Sequence, residues 1–544
     1  MSQTPIRPLA GARRAVTAVP RAPRRGLSPA GAVIAAATLL GLALRAYQLA
    51  RPGHLLGATE YDDGADFGSA LRLVAGVIPY RDFVTVQPPG ITVLMVPAAL
   101  LSKVASTAWS MGAARILTAA AGVGSVLLGG MLVRHRGTVA VTLTCGILAV
   151  YPPAVQSAHT VLLEPWLVLF CLAGVAAIFS GDHLASTERL VWGGAALGFA
   201  GAVKVWAIVP VVVILVLCLP GTRRLLCCLA GVAAGFLIPV LPFALTAPRQ
   251  FYESVIVAQL ARSDVRVPVL YRVQEMTGLT LTTGTLPAAA VVAAGIATAA
   301  LLAVTLAAAW RVTHRRPPPL DVFAAVTTVL VVAVFLVPDD FYYHYAAFLA
   351  PFGAMTLGLS AARLLAAVPG STLATRLGTR RTTRLPLAVA GLAGLVLVVL
   401  PLALPWAENA PTPVYHTAEV QQIIPPGDCV LTDQASLLIA IDRFSSRVPG
   451  CPLMVDATGT DYVLAKGRNG LTAGAVPAAA QVWRQAFGAA QYVWLTPQNY
   501  LRIAWTPALY QYFAQHFTLI PETSDPLLLY ARNGLHPHVP PVLP

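Results

Sequence analysis

Charge is what this sequence has least of. Only 11% of its 544 residues are Asp, Glu, Lys or Arg, where a water-facing globular domain carries about a quarter. That deficit excludes a soluble surface of this size. Lysine is almost missing, with Lys103, Lys204 and Lys466 the whole supply, so nearly all positive charge is arginine. No G-x-x-x-x-G-K-[ST] loop occurs, which excludes ATP-driven transport by this chain. No Cys/His group has zinc spacing. No internal repeat is visible, and no small-residue cleavage site follows the first apolar segment, so a cleaved signal peptide is not expected.

What is there is apolar and comes in blocks. Hydrophobic residues make up 57% of the chain, and the mean hydropathy is +0.70. Roughly 20 apolar residues span a hydrocarbon core, and in lipid such blocks must be helices. Spanning helices are predicted near 30–48, 112–133, 138–155, 162–180, 190–203, 205–219, 224–246, 286–310, 322–337, 345–366 and 386–405. Residues 190–219 also read as one long tilted span. Residues 88–105, short and interrupted by Pro97, read as a helix lying on or dipping into the outer face.

The net charge of +14 is split among short loops, which argues for topology and against nucleic-acid binding. Arg134-His135-Arg136, Arg189, Arg223-Arg224, Arg311 with Arg315-Arg316, and Arg376 to Arg384 then fall on one side. The positive-inside bias makes that side cytoplasmic. Most acids fall on the other. The expected architecture is an all-α polytopic membrane domain of about eleven transmembrane helices with a C-terminal extracytoplasmic α/β domain. Its parts are a basic disordered cytoplasmic tail (1–28), the membrane domain (29–405), the outer domain (406–535) and a disordered end (536–544). The expected location is the plasma membrane, multi-pass, with the N-terminus cytoplasmic. No cytoplasmic segment is large enough to bind a nucleotide sugar. Cys429 and Cys451 fall in the outer domain, where a non-reducing compartment favours a disulfide; two free thiols are the alternative.

Candidate chemistry concentrates in the first outer loop, HLLGATEYDDGADFGSALRLVAGVIPYRDFVTVQPPG. Glu60, Asp62, Asp63 and Asp66 put four carboxylates just above the membrane surface. A carboxylate there can serve as a general base, although charge runs are often only solvated faces. Phe67, Ala70, Leu71 and Val74 follow helical spacing.

The order of residues in this loop resembles the C-type (GT-C) membrane glycosyltransferases, nearest the protein-O-mannosyltransferase and aminoarabinose-transferase branch. The resemblance rests on Asp62-Asp63, Arg72, Gly76, Pro79-Tyr80-Arg81-Asp82-Phe83 and Pro88-Pro89. It implies a catalytic base at Asp62, with Asp63 as the other catalytic candidate. It also implies a supporting loop that includes Arg72, Tyr80, Asp82 and Gln87. The family usually has Glu where this chain has Asp63. Composition and the extra outer domain look like actinobacterial cell-envelope enzymes that use decaprenyl-phosphate arabinose or mannose.

Four further places carry candidates. Glu164, at the outer end of the fourth span, is an acceptor- or metal-site candidate, since an ionisable residue at a membrane boundary is functional by default; an interfacial Glu facing water is the bland alternative. Lys204, between apolar runs, suits a phosphate as a point charge, unless it only snorkels to the interface. In the outer loop 247–285, Arg262, Arg266 and Arg272 run against the positive-inside bias and match phosphate geometry, unless they merely pair with nearby acids. His344, in DDFYYHYAAFLAP, is a further donor-phosphate candidate beside an aromatic belt.

These readings converge on a glycosyltransferase, hexosyl- or pentosyl-. It would move a sugar from a polyprenyl-phosphate donor to a hydroxyl of an extracytoplasmic glycan, lipid or protein. Membrane lipid is a partner and nucleic acid is not. No cofactor is required by the sequence, which leaves room for a divalent metal. A polytopic transporter or lipid-carrier flippase would need mid-membrane ionisable groups and related halves. A non-catalytic envelope assembly protein is the third reading.

Overall fold

A computed structural model describes residues 28–260, 267–278, 287–313, 316–337, 340–367, 417–465, 477–520 and 528–537. The expected span at 386–405, the boundary at 405/406 and both expected disordered ends fall wholly or largely outside these residues.

The first half is a stack of apolar helices. Among the described residues, six are long and apolar enough to cross a membrane: Pro29–Ala50, Thr107–Arg136, Thr222–Thr246, Ala288–Arg311, Pro319–Leu336 and Tyr343–Ala366. Shorter apolar helices cover Gly90–Lys103, Thr138–Val150, Leu163–Ile178 and Val205–Cys218. The helix Pro29–Ala50 starts where Ser28 accepts from the Gly31 amide at 3.1 Å, an N-cap that satisfies an otherwise orphaned donor. Arg45 ties it to the bundle, donating to the carbonyls of Gly41 at 3.0 Å and Ala154 at 3.1 Å.

Small residues set the closest approach between helices. A Cβ placed at Gly198 would lie 2.1 Å from the Val232 carbonyl oxygen, and one at Gly235 would lie 2.0 Å from that of Ala195. Helices Thr187–Val203 and Thr222–Thr246 therefore meet backbone to backbone. This is how helices associate where lipid offers no hydrophobic drive.

The ambiguous 190–219 region is two helices. Thr187–Val203 ends at Lys204, whose backbone is extended (φ −150°, ψ 131°), and Ile208–Cys218 begins after one 3-10 turn. Pro210 sits in the first turn of the second helix, where no amide is needed for the ladder. On the far side of the bundle, a small hairpin of β1 (Phe179–Ser180) and β2 (His183–Leu184) presents Asp182 to Arg136 at 2.8 Å.

The described residues from 417 to 537 fold differently. Four strands, β3 (Val430–Thr432), β4 (Tyr492–Leu495), β5 (Phe517–Leu519) and β6 (Leu528–Arg532), form a sheet in the order β3-β4-β6-β5. β3 and β4 run parallel and the other pairings are antiparallel. Trp483, Phe487, Phe513 and Phe517 fill the space between the sheet and its helices. A disulfide joins Cys429, just before β3, to Cys451, with Cα atoms 5.6 Å apart.

This region rests on the helix Tyr61–Val74. A Cβ at Gly64 would lie 2.1 Å from the Ser436 amide nitrogen, so glycine is what lets the two backbones touch. The Arg72 guanidinium lies 4.3 Å from the centre of the Phe444 ring, a cation–π contact. Tyr61 accepts from the Thr458 amide at 2.7 Å and donates to Asp456 at 2.8 Å.

Candidate active site

Between the helical stack and the sheet-bearing region lies a cavity of about 820 Å³, within the range of ligand-sized pockets. Its lower wall carries Glu60, Asp62, Asp66, Glu164, Lys204 and His344, and its roof carries Asp456, Tyr500, Arg502 and Trp505. Residues far apart in the chain meet here because most of them sit at a helix end or a helix break.

The helix Tyr61–Val74 brings Asp62 and Asp63 to its first turn, where the helix dipole favours negative charge. The two neighbours then part ways. The Asp62 side chain is 47% exposed, and its Oδ2 lies 3.6 Å from His344 Nε2. Asp63 is fully buried and pairs with Arg115. It also accepts from Thr59 Oγ1 at 3.0 Å and the Val161 amide at 3.1 Å. Arg115 in turn donates to the carbonyls of His54 and Leu55, both at 2.8 Å. A carboxylate so engaged positions the loop and cannot reach a substrate. The expectation that Asp63 shares the catalytic role is therefore corrected.

Glu164 and Lys204 form the centre of the lower wall. Glu164 starts the helix Leu163–Ile178 and is fully buried. Lys204 Nζ donates to Glu164 Oε1 at 2.5 Å. The ammonium also lies 3.9 Å from the centre of the Trp206 ring and 4.1 Å from that of Tyr345. His344 Nδ1 lies 2.9 Å from Glu164 Oε2. Lys204 does not snorkel, and Glu164 does not face bulk water. A divalent cation at Glu164 would have to compete with these two partners, and among the described residues no three His, Cys, Asp or Glu side chains gather as a metal ligand set. The donor set does not fit the metal-site reading of Glu164.

His344 belongs to the 3-10 turn Tyr343–Phe348. Next to it, Tyr343 donates to Glu60 Oε1 at 2.7 Å. Burial lifts the Glu60 carboxyl to about 7 in spite of that hydrogen bond, because desolvation disfavours the charged form. Asp66 is held well above the usual carboxylate range, first by burial and then by the charges of Asp62 and Glu164.

The supporting loop does what its residues allow. Tyr80 is buried with φ +65°, a region that non-glycine residues seldom enter. Its hydroxyl donates to the Gln87 carbonyl at 2.6 Å, and its ring meets Phe251 edge-on. Asp82 accepts from the Ile78 amide at 2.8 Å. Together they fold 78–87 so that Thr85, Val86 and Gln87 line the cavity. Just beyond, a Cβ at Gly90 would lie 2.4 Å from the Ala202 carbonyl oxygen, which seats this loop against the end of the helix that breaks at Lys204. Arg72 points away, onto Phe444.

Neither described arginine of 247–285 lines the cavity. Arg272 donates to the carbonyls of Val267 at 3.1 Å and Phe335 at 3.0 Å and does not line the cavity, which corrects its expected role as a phosphate ligand. Arg249 pairs with Glu253 at 3.0 Å. Arg262 and Arg266 lie outside the described residues.

Sequence reasoning missed Arg115, Tyr61, Arg502 and Trp505. Arg115 alone had a signal, since an arginine inside an apolar helix asks for a partner. A second, apolar pocket of about 480 Å³ opens between helices, lined by Tyr151, Met276, Leu302, Val332 and Leu349 among others. Leu349 is one helical turn beyond Tyr345, which lines the polar cavity.

The family model of glycosyltransferase family 87 matches residues 86–338. That segment includes Gln87, Glu164 and Lys204 and stops short of His344. No curated protein matches the sequence. Solved structures share the fold, two of them of one protein. One is ArnT from Cupriavidus metallidurans bound to undecaprenyl phosphate, at 16% identity and a TM-score of 0.56, covering 92% of this chain and 97% of that one. The other is the same protein in the apo state, at 15% identity and a TM-score of 0.57, with the same coverage. The matched segment, just under half of the chain, and the shared fold both agree with the resemblance to membrane glycosyltransferases of the C type.

Proposed function

We propose that this enzyme transfers a sugar from a polyprenyl-phosphate donor to an acceptor hydroxyl outside the cytoplasm, with Asp62 as the general base. The observation that carries the reading is Asp62 itself. It is the half-exposed carboxylate on the cavity wall, and its neighbour Asp63 is locked away.

In this reading the acceptor oxygen attacks the anomeric carbon as Asp62 takes its proton. The bond from that carbon to the phosphate oxygen breaks, and the polyprenyl phosphate leaves with the electron pair. One displacement inverts the anomeric centre. Lys204 and His344 face the departing phosphate and offset its developing charge. Glu164, pressed against both, holds them in place. The apolar pocket under Tyr345 suits an isoprenoid tail, and one of the similar structures holds undecaprenyl phosphate. The basic loops of the sequence support placing the cavity on the outer side of the membrane. A cell-envelope acceptor, and mannose or arabinose as the sugar, belong to the same proposal.

The test is incubation of the purified protein with a panel of radiolabelled polyprenyl-phosphate sugars and crude envelope acceptors. Wild type should transfer label from at least one donor, and Asp62→Asn should abolish that transfer while folding normally. Transfer by Asp62→Asn at the wild-type rate would remove the base assignment. Movement of intact labelled lipid between leaflets without transfer would favour a flippase.

A further inference from the structure

The roof of the cavity has no part in the chemistry just described, yet it is built with care. β3 and β4 are parallel neighbours, and their carboxyl ends deliver Asp433, Gln434 and Thr496 to one spot. The crevice beyond the carboxyl ends of parallel strands is where such sheets bind ligands. From there the short helix Asn499–Arg502 carries its side chains down to the cavity.

Arg502 is fixed by one nitrogen. Nη1 donates to Asp433 Oδ2 at 3.1 Å and Gln434 Oε1 at 2.9 Å, and the guanidinium lies 4.5 Å from the centre of the Tyr61 ring. Nε and Nη2 make no hydrogen bond among the described residues, so the remaining donors are presented from a set plane. Trp505 is fixed as well. Its Nε1 donates to Asn499 Oδ1 at 2.9 Å, and its ring stacks on Phe487 with centroids 5.7 Å apart and planes 20° apart. Tyr500 is 65% exposed at the cavity rim. Gln498 and Thr458 complete the lining.

A flat apolar face, a second rigid aromatic and dispersed hydrogen-bonding groups match one class of ligand. The face of a sugar ring carries C–H groups with slight positive charge, and an aromatic face is negative. The hydroxyls around its edge need donors and acceptors of the kind that Arg502 and Gln498 offer. A lipid tail would have no use for that ring of polar groups around a bare aromatic face.

We propose that Tyr500, Trp505, Arg502 and Gln498 form the acceptor subsite, and that the acceptor is a neutral saccharide laid on Tyr500 with one hydroxyl directed down at Asp62. The proposal deepens the transferase reading and rests on it for the word acceptor. The binding claim stands by itself.

The test titrates the full-length protein in nanodiscs with mannan-, arabinan- and glucan-derived tetrasaccharides, read by tryptophan fluorescence, without donor. At least one should bind, Tyr500→Ala should weaken it about tenfold, and Tyr500→Phe should retain it. With labelled donor present, Tyr500→Ala should raise KM for that oligosaccharide by a similar factor and leave kcat nearly unchanged. Absence of binding by every tetrasaccharide, or equal binding by Tyr500→Ala and wild type, would overturn the proposal. So would a serine-containing peptide that competes at Tyr500 as well as any sugar. Should the tetrasaccharides bind as stated while no donor is ever consumed, the transferase reading falls and this subsite remains.

Discussion

Lys204 and Glu164 hold each other across a helix break and a helix start, Nζ to Oε1 at 2.5 Å, with neither side chain more than 6% exposed. Removing one member of such a pair strands the other without solvent and costs roughly 3–5 kcal/mol. Lys204→Met should therefore lower the thermal midpoint in detergent and abolish transfer. The double variant Glu164→Gln/Lys204→Met should recover most of the stability and none of the activity. Thermal shift and transfer assays on the two variants check this, and a double variant as unstable as the single one would contradict it.

The two adjacent aspartates should separate cleanly. Asp62→Asn should keep the wild-type melting temperature and lose about 10²–10⁴ in rate, the usual contribution of a general base. Asp63→Asn should destabilise the protein by about 3 kcal/mol, because it leaves Arg115 buried without its charge partner. Melting curves and initial rates measured side by side distinguish a chemical loss from a structural one.

Glu60 gives the fold a pH signature of definite sign. Burial raises its folded-state pKa from 4.5 to about 7, so the folded protein holds the proton more tightly than the unfolded chain. Stability contributed by that proton is present at low pH and is lost as pH rises between those two values. Wild-type melting temperature should show a component that falls between about pH 5 and pH 7, and Glu60→Gln should lack it. Asp66 adds to the trend in the same direction.

Gly64 offers a test of how closely the roof must sit. A Cβ there would lie 2.1 Å from the Ser436 nitrogen and 2.8 Å from its Cα. Both are backbone atoms, so they cannot swing aside. Gly64→Ala should push 435–436 away from the helix and raise acceptor KM more than it changes the binding of donor. Equal effects on both would mean that the contact only supports folding.

Much of this was legible in order and composition. The lack of charge set the class, and the helices lie close to where apolar blocks placed them. The residue order of the first loop carried the resemblance to the C-type membrane glycosyltransferases. Glu164, Lys204 and His344 each stood out alone as ionisable groups in apolar surroundings. That they meet depends on helix packing, which no local pattern records. The resemblance put the base on Asp62 and left Asp63 beside it as a candidate; the arrival of Arg115 from another helix is what sets Asp63 apart. Arg272 failed as a phosphate ligand for a related reason. A sequence shows that an arginine is there, while backbone carbonyls at a helix end can satisfy it just as an anion can. The segment PLMVDA, which has a soluble-type apolar pattern, forms no strand, and its Asp456 is used instead to receive Tyr61.

That bond between Tyr61 and Asp456 has a practical corollary. The phenol belongs to the residue directly before Asp62, so whatever tilts the sheet-bearing portion tugs the proposed base with it. Swapping 417–537 for the equivalent stretch of a homologue would thus amount to re-aiming Asp62. Engineers wanting new acceptors should transplant the tyrosine and its carboxylate together.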